Sequence, residues 1–292
     1  MRQDITFISD GNHIVGQLHL PGETQSGQQL AGVVVVGPAS SVKGQVPTIY
    51  AERLADLGYA ALAFDHSTYG ESEGWPRSDE DPFAKVEDVK NAVTFLAADH
   101  RIDADRLAAV GVCAGGGYAP AAAVADRRIK VVATVSGLPD LRATIKAAGD
   151  WQSIMVAAQQ AREEYARSGR PTHLPFLANG ELDVWRENGK KFYLTDRNQD
   201  SNWRNETLLW SYDKMIHFSA IDTIDLLAPT PLLVIAGSQA ETLDQSERLY
   251  AHAQGVKELE LIEGGTHFDF YDRPQYVGPA VTKINEFFAN NL

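Results

Sequence analysis

The chain has 292 residues, of which 44% are hydrophobic and 22% charged, a balance that suits a folded protein with a full core. Lys and Arg number 26 against 39 Asp and Glu, giving a net charge of −13, which argues against a nucleic-acid or anionic-membrane surface. One cysteine excludes an intramolecular disulfide and a Cys-rich zinc site.

The start, MRQDITFISD, lacks an apolar signal core, and the longest apolar run, around 33–36, falls far short of the roughly 18 residues of a membrane helix. A cytoplasmic protein is expected, with no membrane and no nucleic-acid partner.

Residues 3–9 and 13–20 alternate as two half-buried antiparallel strands joined by a turn at Asp10, Gly11 and Asn12. LAGVVVVG (30–37) is a continuous β-branched run, the pattern of a strand buried on both faces. Residues 46–58 read as an amphipathic helix with Pro47 near its start and Gly58 past its end. A strand at 61–64 follows. A helix over 81–99 should bury the face carrying Phe83, Val86, Val89, Val93 and Leu96. Then come a strand (106–112), a helical segment (118–125), a strand (130–137), a strand (231–237), a helix near 242–254, a strand (258–263) and a closing helix (277–289). Strands alternating with helices predict an α/β fold, a mostly parallel twisted sheet with helices on both faces. Residues 1–138 and 230–292 form the core on this reading. Residues 139–229, helix-rich, polar and aromatic, form a cap that carries four of the five tryptophans, Trp151, Trp185, Trp203 and Trp210.

The single cysteine lies in GVCAGGG (111–117), directly after a buried strand and before a helix. Gly-x-Cys-x-Gly at that junction reads as a nucleophile elbow with sulfur in place of oxygen. Gly111 and Gly115 allow strand and helix to approach, and the Ala114 N–H points into the site from the helix start. The base should be a late histidine; His267, in EGGTHF (263–268), follows the last strand and precedes the last helix. Glu241 is the nearest carboxylate after the strand ending at Gly237, and Asp140 and Asp244 are the alternatives for the acid. A second oxyanion donor should come from the loop at 37–44, from an N–H of Ala39, Ser40 or Ser41, with Ser40 the representative choice. In the cap, Trp151, Trp185, Tyr193, Trp210, Tyr212 and His217 are the candidates to line an apolar substrate pocket. No metal-ligand spacing and no dinucleotide fingerprint occurs, so no cofactor is expected.

With these residues in place, the chain resembles the α/β-hydrolases, and within them the dienelactone-hydrolase-like group whose elbow carries cysteine. PASSVKGQVPTIYAERLADLGY (38–59), AFDHSTYGESEGWPR (63–77), GVCAGGGYA (111–119), DRRIKVVATVSG (126–137), PTPLLVIAGSQAET (229–242) and THFDFYDRPQYVGPAV (266–281) resemble an uncharacterised bacterial branch and the related fungal polyketide transferases. The resemblance implies a hydrolase of ester, lactone or thioester bonds, working through a Cys-His-acid triad and a covalent acyl-enzyme. Two alternatives stand beside it: an acyltransferase or C–C bond hydrolase of polyketide-like metabolism, and a non-catalytic small-molecule binding protein on a hydrolase scaffold. The expected partner is a small-molecule substrate, and a homodimer is compatible with the chain.

Overall fold

The computed structural model describes residues 1–22, 29–147, 149–177, 184–198 and 200–292. Strands β1 (Arg2–Ser9) and β2 (Asn12–His19) form a hairpin in register Ser9↔Asn12, so the turn proper is Asp10-Gly11. Both turn residues have positive φ, 45° and 82°, the geometry that an Asp-Gly pair supplies to a two-residue hairpin. β3 (Leu30–Val36) is buried along its whole length, as its unbroken apolar run requires. Helix α1 (Val46–Asp56), β4 (Ala60–Phe64), α2 (Pro82–Ala98), β5 (Ile102–Val112), α3 (Gly115–Ala125) and β6 (Ile129–Val135) complete the first half.

The sheet has eight strands in the order β1-β2-β4-β3-β5-β6-β9-β10, where β9 is Leu232–Gly237 and β10 is Lys257–Ile262. Only β2 runs against the others, pairing antiparallel with both β1 and β4; β4, β3, β5, β6, β9 and β10 are mutually parallel. The carboxyl ends of β3, β5, β6, β9 and β10 therefore open at one edge, where the loops carrying chemistry collect.

Helix α2 begins with Asp81 capping the N–H groups of Phe83 and Ala84. It buries Val89, Val93 and Leu96 as its periodicity predicts. Phe83, expected on the same face, is 52% exposed and packs edge-on against Phe218 of the insertion.

The insertion between β6 and β9 contains α4 (Leu141–Ala147), α5 (Trp151–Ser168), β7 (His173–Leu174), α6 (Val184–Tyr193), β8 (Thr207–Leu208) and α7 (Ser211–Met215). It does not pack as a single cap. Ala158, Ala161, Leu208, Leu209 and Trp210 make a small core of their own. Phe192 and Tyr193 of α6 instead join the main core, as does the 3-10 turn Ala220–Leu227 through Ala220, Ile221, Ile224 and Leu227. The last stretch of the expected cap thus behaves as part of the sheet domain. Among the described residues, no helix is long and apolar enough to cross a membrane. Helices α8 (Leu243–His252), α9 (Asp269–Asp272) and α10 (Pro274–Asn291) close the chain.

Candidate active site

Cys113 sits between β5 and α3 with φ 56°, a left-handed conformation that costs a residue bearing a Cβ and survives only where its surroundings enforce it. The surroundings do so here. A Cβ on Gly111 would lie 2.0 Å from the Gly115 carbonyl oxygen, and one on Gly115 would lie 2.2 Å from that of Val36. Both neighbours are backbone and cannot move aside, which is the physical content of the Gly-x-Cys-x-Gly spacing. The Cys113 carbonyl accepts from the N–H groups of Gly116 at 2.8 Å and Leu138 at 2.7 Å, fixing the turn from both sides.

Cys113 is buried, 3% exposed. The N–H groups of Ala114 and Ala39 and the Tyr271 hydroxyl lie on its side of the site and favour its thiolate form. Burial nevertheless dominates and pushes the thiol pKa up to about 11. Its second backbone donor is therefore Ala39. The Ser40 N–H, the representative choice, instead donates to the Glu80 carboxylate at 2.8 Å. The reason is local: Ser40 has φ 58°, which turns its N–H away from the sulfur side of the loop and toward Glu80.

Glu80 is the hub of a cluster that its sequence context does not announce. One carboxylate oxygen accepts from Ser40 and from the Tyr69 hydroxyl at 2.9 Å; the other accepts from Lys85 at 2.6 Å and the Tyr118 hydroxyl at 2.7 Å. Burial raises its pKa, but Lys85 and these donors outweigh burial and hold it below the ordinary carboxylate range. Lys43, three residues further along the same loop, is tied down by Asp65 at 2.8 Å and by Glu71.

His267 follows β10 and is fully buried. Its Nδ1 faces the Thr242 hydroxyl at 2.7 Å and the Ser136 hydroxyl at 3.2 Å, and its Nε2 faces the Tyr271 hydroxyl at 3.2 Å. Burial lowers its pKa to about 4, with the nearby Glu241 charge acting in the opposite sense. Thiol and imidazole thus both rest uncharged.

Glu241 does not reach the imidazole. One of its oxygens accepts from the His267 backbone N–H at 3.1 Å and the other from the Asn188 side chain on α6 at 2.8 Å. The alternative Asp140 caps Ala143 at 3.0 Å and pairs with Arg248 at 2.8 Å, and Asp244 lines a neighbouring groove. Where a carboxylate was expected on Nδ1, two hydroxyls stand. Thr242, one residue beyond Glu241, is the position that faces the ring.

An apolar cavity of about 130 Å³ opens on the sulfur. Of the six cap candidates, Trp185, Tyr193 and Tyr212 line it. The other three do not: Trp210 is consumed by the insertion's own core, tilted against Tyr165 at 5.1 Å between centroids, His217 is exposed, and Trp151 lies outside the lining at the start of α5. Phe176, Thr207, Phe268 and Tyr271 line it unforeseen.

The profile of the alpha/beta hydrolase family matches residues 34–280, from within β3 into α10. The chain belongs to this family. Within it, the chain is 31% identical over 301 residues to the uncharacterised protein PA2218 of Pseudomonas aeruginosa, across 99% of its own length and 80% of that one. The crystal structure of PA2218 superposes with a TM-score of 0.93, covering 100% of this chain and 94% of the other at 29% identity. A thiohydrolase, aneE of Aspergillus aculeatus, is 29% identical across 90% of this chain and 86% of its own length. A polyketide transferase, claH of Penicillium crustosum, is 26% identical across 89% of this chain and 88% of its own length.

Two residues that face the His267 ring, Tyr271 and Thr242, are not among the candidates from sequence. Tyr271 carried a usable signal, since it stands four residues beyond His267 at the start of a short helix, where i and i+4 share a face.

Proposed function

We propose that this hydrolase cleaves activated acyl compounds, thioesters first and lactones or esters next, with Cys113 as the nucleophile and His267 as the base. The observation that carries the proposal is the strained Cys113 with two backbone N–H groups, those of Ala39 and Ala114, converging on its sulfur. When the sulfur attacks a carbonyl, the same donors stand ready for the oxygen that gains charge. A thiolate leaves a tetrahedral intermediate more readily than an amine does, so amides are poor substrates and thioesters good ones. The name of the fungal thiohydrolase agrees with this class.

The cavity adds a preference. Among its lining residues, the Trp185 indole N–H and the Thr207 hydroxyl are buried without a hydrogen-bond partner. Leaving such a group unpaired costs about 1–3 kcal/mol, so an acyl chain bearing oxygen substituents at matching positions gains over a plain alkyl chain. Transfer to an alcohol in place of water is the second reading. It is favoured by the burial of both Cys113 and His267, which limits water at the acyl-enzyme, and by the polyketide transferase among the relatives.

The test is incubation with an acyl thioester followed by mass analysis of the intact protein. An acyl adduct on Cys113 is expected, with Cys113→Ala unlabelled and its turnover reduced to background. Turnover by Cys113→Ala at the wild-type rate would sink the proposal. Product analysis with an added alcohol separates hydrolysis from transfer.

A further inference from the structure

Helix α6 is both a wall of the cavity and a neighbour of His267. Trp185 and Tyr193, near its two ends, line the cavity. Trp185 also lies edge-on to the His267 ring, with centroids 6.1 Å apart, and tilts against Phe268 at 5.6 Å. One turn along, a Cβ on Gly189 would lie 3.1 Å from the Phe268 ring, so the helix backbone itself rests on this segment. Phe192 packs edge-on against Tyr271 at 5.0 Å. Trp185, Asn188 and Phe192, spaced by three and four, share this face of the helix.

Asn188 is the polar member of that face. Its amide NH2 donates to one oxygen of Glu241 at 2.8 Å, and the other Glu241 oxygen accepts from the His267 backbone N–H at 3.1 Å. Chemistry settles the directions. A carboxylate only accepts, and the Asn188 amide oxygen faces the Lys191 ammonium at 3.4 Å, which only donates. A chain therefore runs from α6, through a carboxylate, to the main chain of His267. Such a clasp differs from an acid on Nδ1. It leaves the ring nitrogens to the hydroxyls of Thr242, Ser136 and Tyr271, and sets instead where the backbone that bears the ring stands.

We infer that Asn188 is a positioning residue, which through Glu241 ties the placement of His267 to whatever packs against α6. The inference rests on the proposed roles of Cys113 and His267. An acyl chain that fills the cavity packs against Trp185 and Tyr193 and steadies α6. The Asn188–Glu241–His267 chain passes that order to the base. Binding energy from a part of the substrate remote from the carbonyl then appears in the rate of the chemical step as well as in KM. A short acyl group leaves most of the cavity unfilled and gains little from the tie.

The helix has a second anchor that does not involve Asn188. Arg197, just beyond its end, donates to Asp272 at 2.9 Å and to the Phe268 carbonyl oxygen at 3.2 Å. Removing the Asn188 amide therefore leaves α6 docked and cuts only its link to the His267 backbone.

The experiment uses acetyl and hexanoyl thioesters of one thiol, with KM, the rate of acyl adduct formation on Cys113, and the melting midpoint as readouts. In the wild type the hexanoyl chain is expected to acylate faster than the acetyl group. Asn188→Ala is expected to slow hexanoyl acylation about tenfold, within the roughly 10²-fold that an ångström of misplacement costs, and to leave acetyl acylation and the hexanoyl KM nearly unchanged. Glu241→Gln keeps the shape but offers one oxygen to two donors, so it should lose the same chain-length preference. The double variant should fall no further than the slower single variant, because both changes cut one chain. An amide with a merely structural role would lower the midpoint and slow both thioesters alike. That outcome, or a wild-type ratio of hexanoyl to acetyl rates in Asn188→Ala, overturns the inference. Absence of any adduct on wild-type Cys113 would instead overturn the nucleophile assignment beneath it.

Discussion

Two buried clusters meet at one end of the sheet, and they are built on opposite terms. Around Glu80, an ionised carboxylate is surrounded by four donors, and the cation Lys85 neutralises it inside the fold. Around Cys113, neither the thiol nor the His267 imidazole is charged at rest: burial holds the thiol up at about 11 and the imidazole down at about 4. The first cluster fixes geometry, since it clamps the Ser40 N–H and so holds the loop that presents the Ala39 N–H. Under the proposed function, the second separates charge only when a substrate carbonyl arrives. A saturated charge network is rigid, whereas a neutral, thinly bonded one leaves protons free to move.

Removing the carboxylate breaks this contrast most severely. Glu80→Ala strands Lys85 as an uncompensated buried cation and releases Tyr69, Tyr118 and the Ser40 N–H together. The expected loss is about 3–5 kcal/mol of stability, the usual consequence of breaking a buried ion pair from one side. Urea unfolding measures it. A cost below 1 kcal/mol would mean that the Glu80 cluster is not the anchor described here.

The neutral cluster makes its own demand on stability, through pH. Folded His267 binds its proton only near pH 4, while the unfolded chain binds it near 6.5. Between those values the unfolded state holds more protons, so stability falls as pH drops from about 6.5 toward 4. His19 and His66, whose pKa values burial also lowers, push in the same direction. Cys113 acts at the other end. Its thiol stays protonated in the fold up to about 11 but ionises near 9 when unfolded, so stability falls as pH rises through that window. Unfolding midpoints measured from pH 4 to 11 should form a dome whose two limbs amount to a few kcal/mol in order of magnitude. In Cys113→Ala the alkaline limb should flatten by one proton's slope. An identical limb in that variant would show that the thiol is not held neutral.

The two clusters also differ in how far the sequence reveals them. The elbow, the strand order around it and His267 follow from period, glycine spacing and chain order, because each is enforced by backbone contacts that side-chain choice cannot evade. Gly111 and Gly115 are legible for that reason. The Glu80 cluster is not: its members come from four separate segments, and nothing local distinguishes Glu80 from any other acidic residue before a helix. The acid position misleads for a related reason. A carboxylate at 241 is the obvious choice by type, yet which of two adjacent side chains faces the ring depends on how the turn after β9 is wound. Cap residues are the least legible. Trp210 and Trp185 look alike in composition, but one fills the insertion's own core and the other faces the sulfur.

The smallest expected effect concerns the far side of His267. If two hydroxyls do what a carboxylate commonly does, each should contribute only part of the orientation, since neither carries charge. Thr242→Val removes the shorter contact, keeps the β-branched shape and leaves Ser136 on Nδ1. Losing one neutral hydrogen bond is worth about 0.5–1.5 kcal/mol, so turnover should fall several-fold, up to about tenfold, with little change in melting midpoint. Adding Ser136→Ala should then cost more than the product of the single losses, because Nδ1 is left with no acceptor in a dry site. A double variant that loses only the product of the two single effects would mean that the hydroxyls act independently. The base would then owe its orientation to the Glu241 clasp on its backbone and to the ring packing of Phe268 and Tyr271.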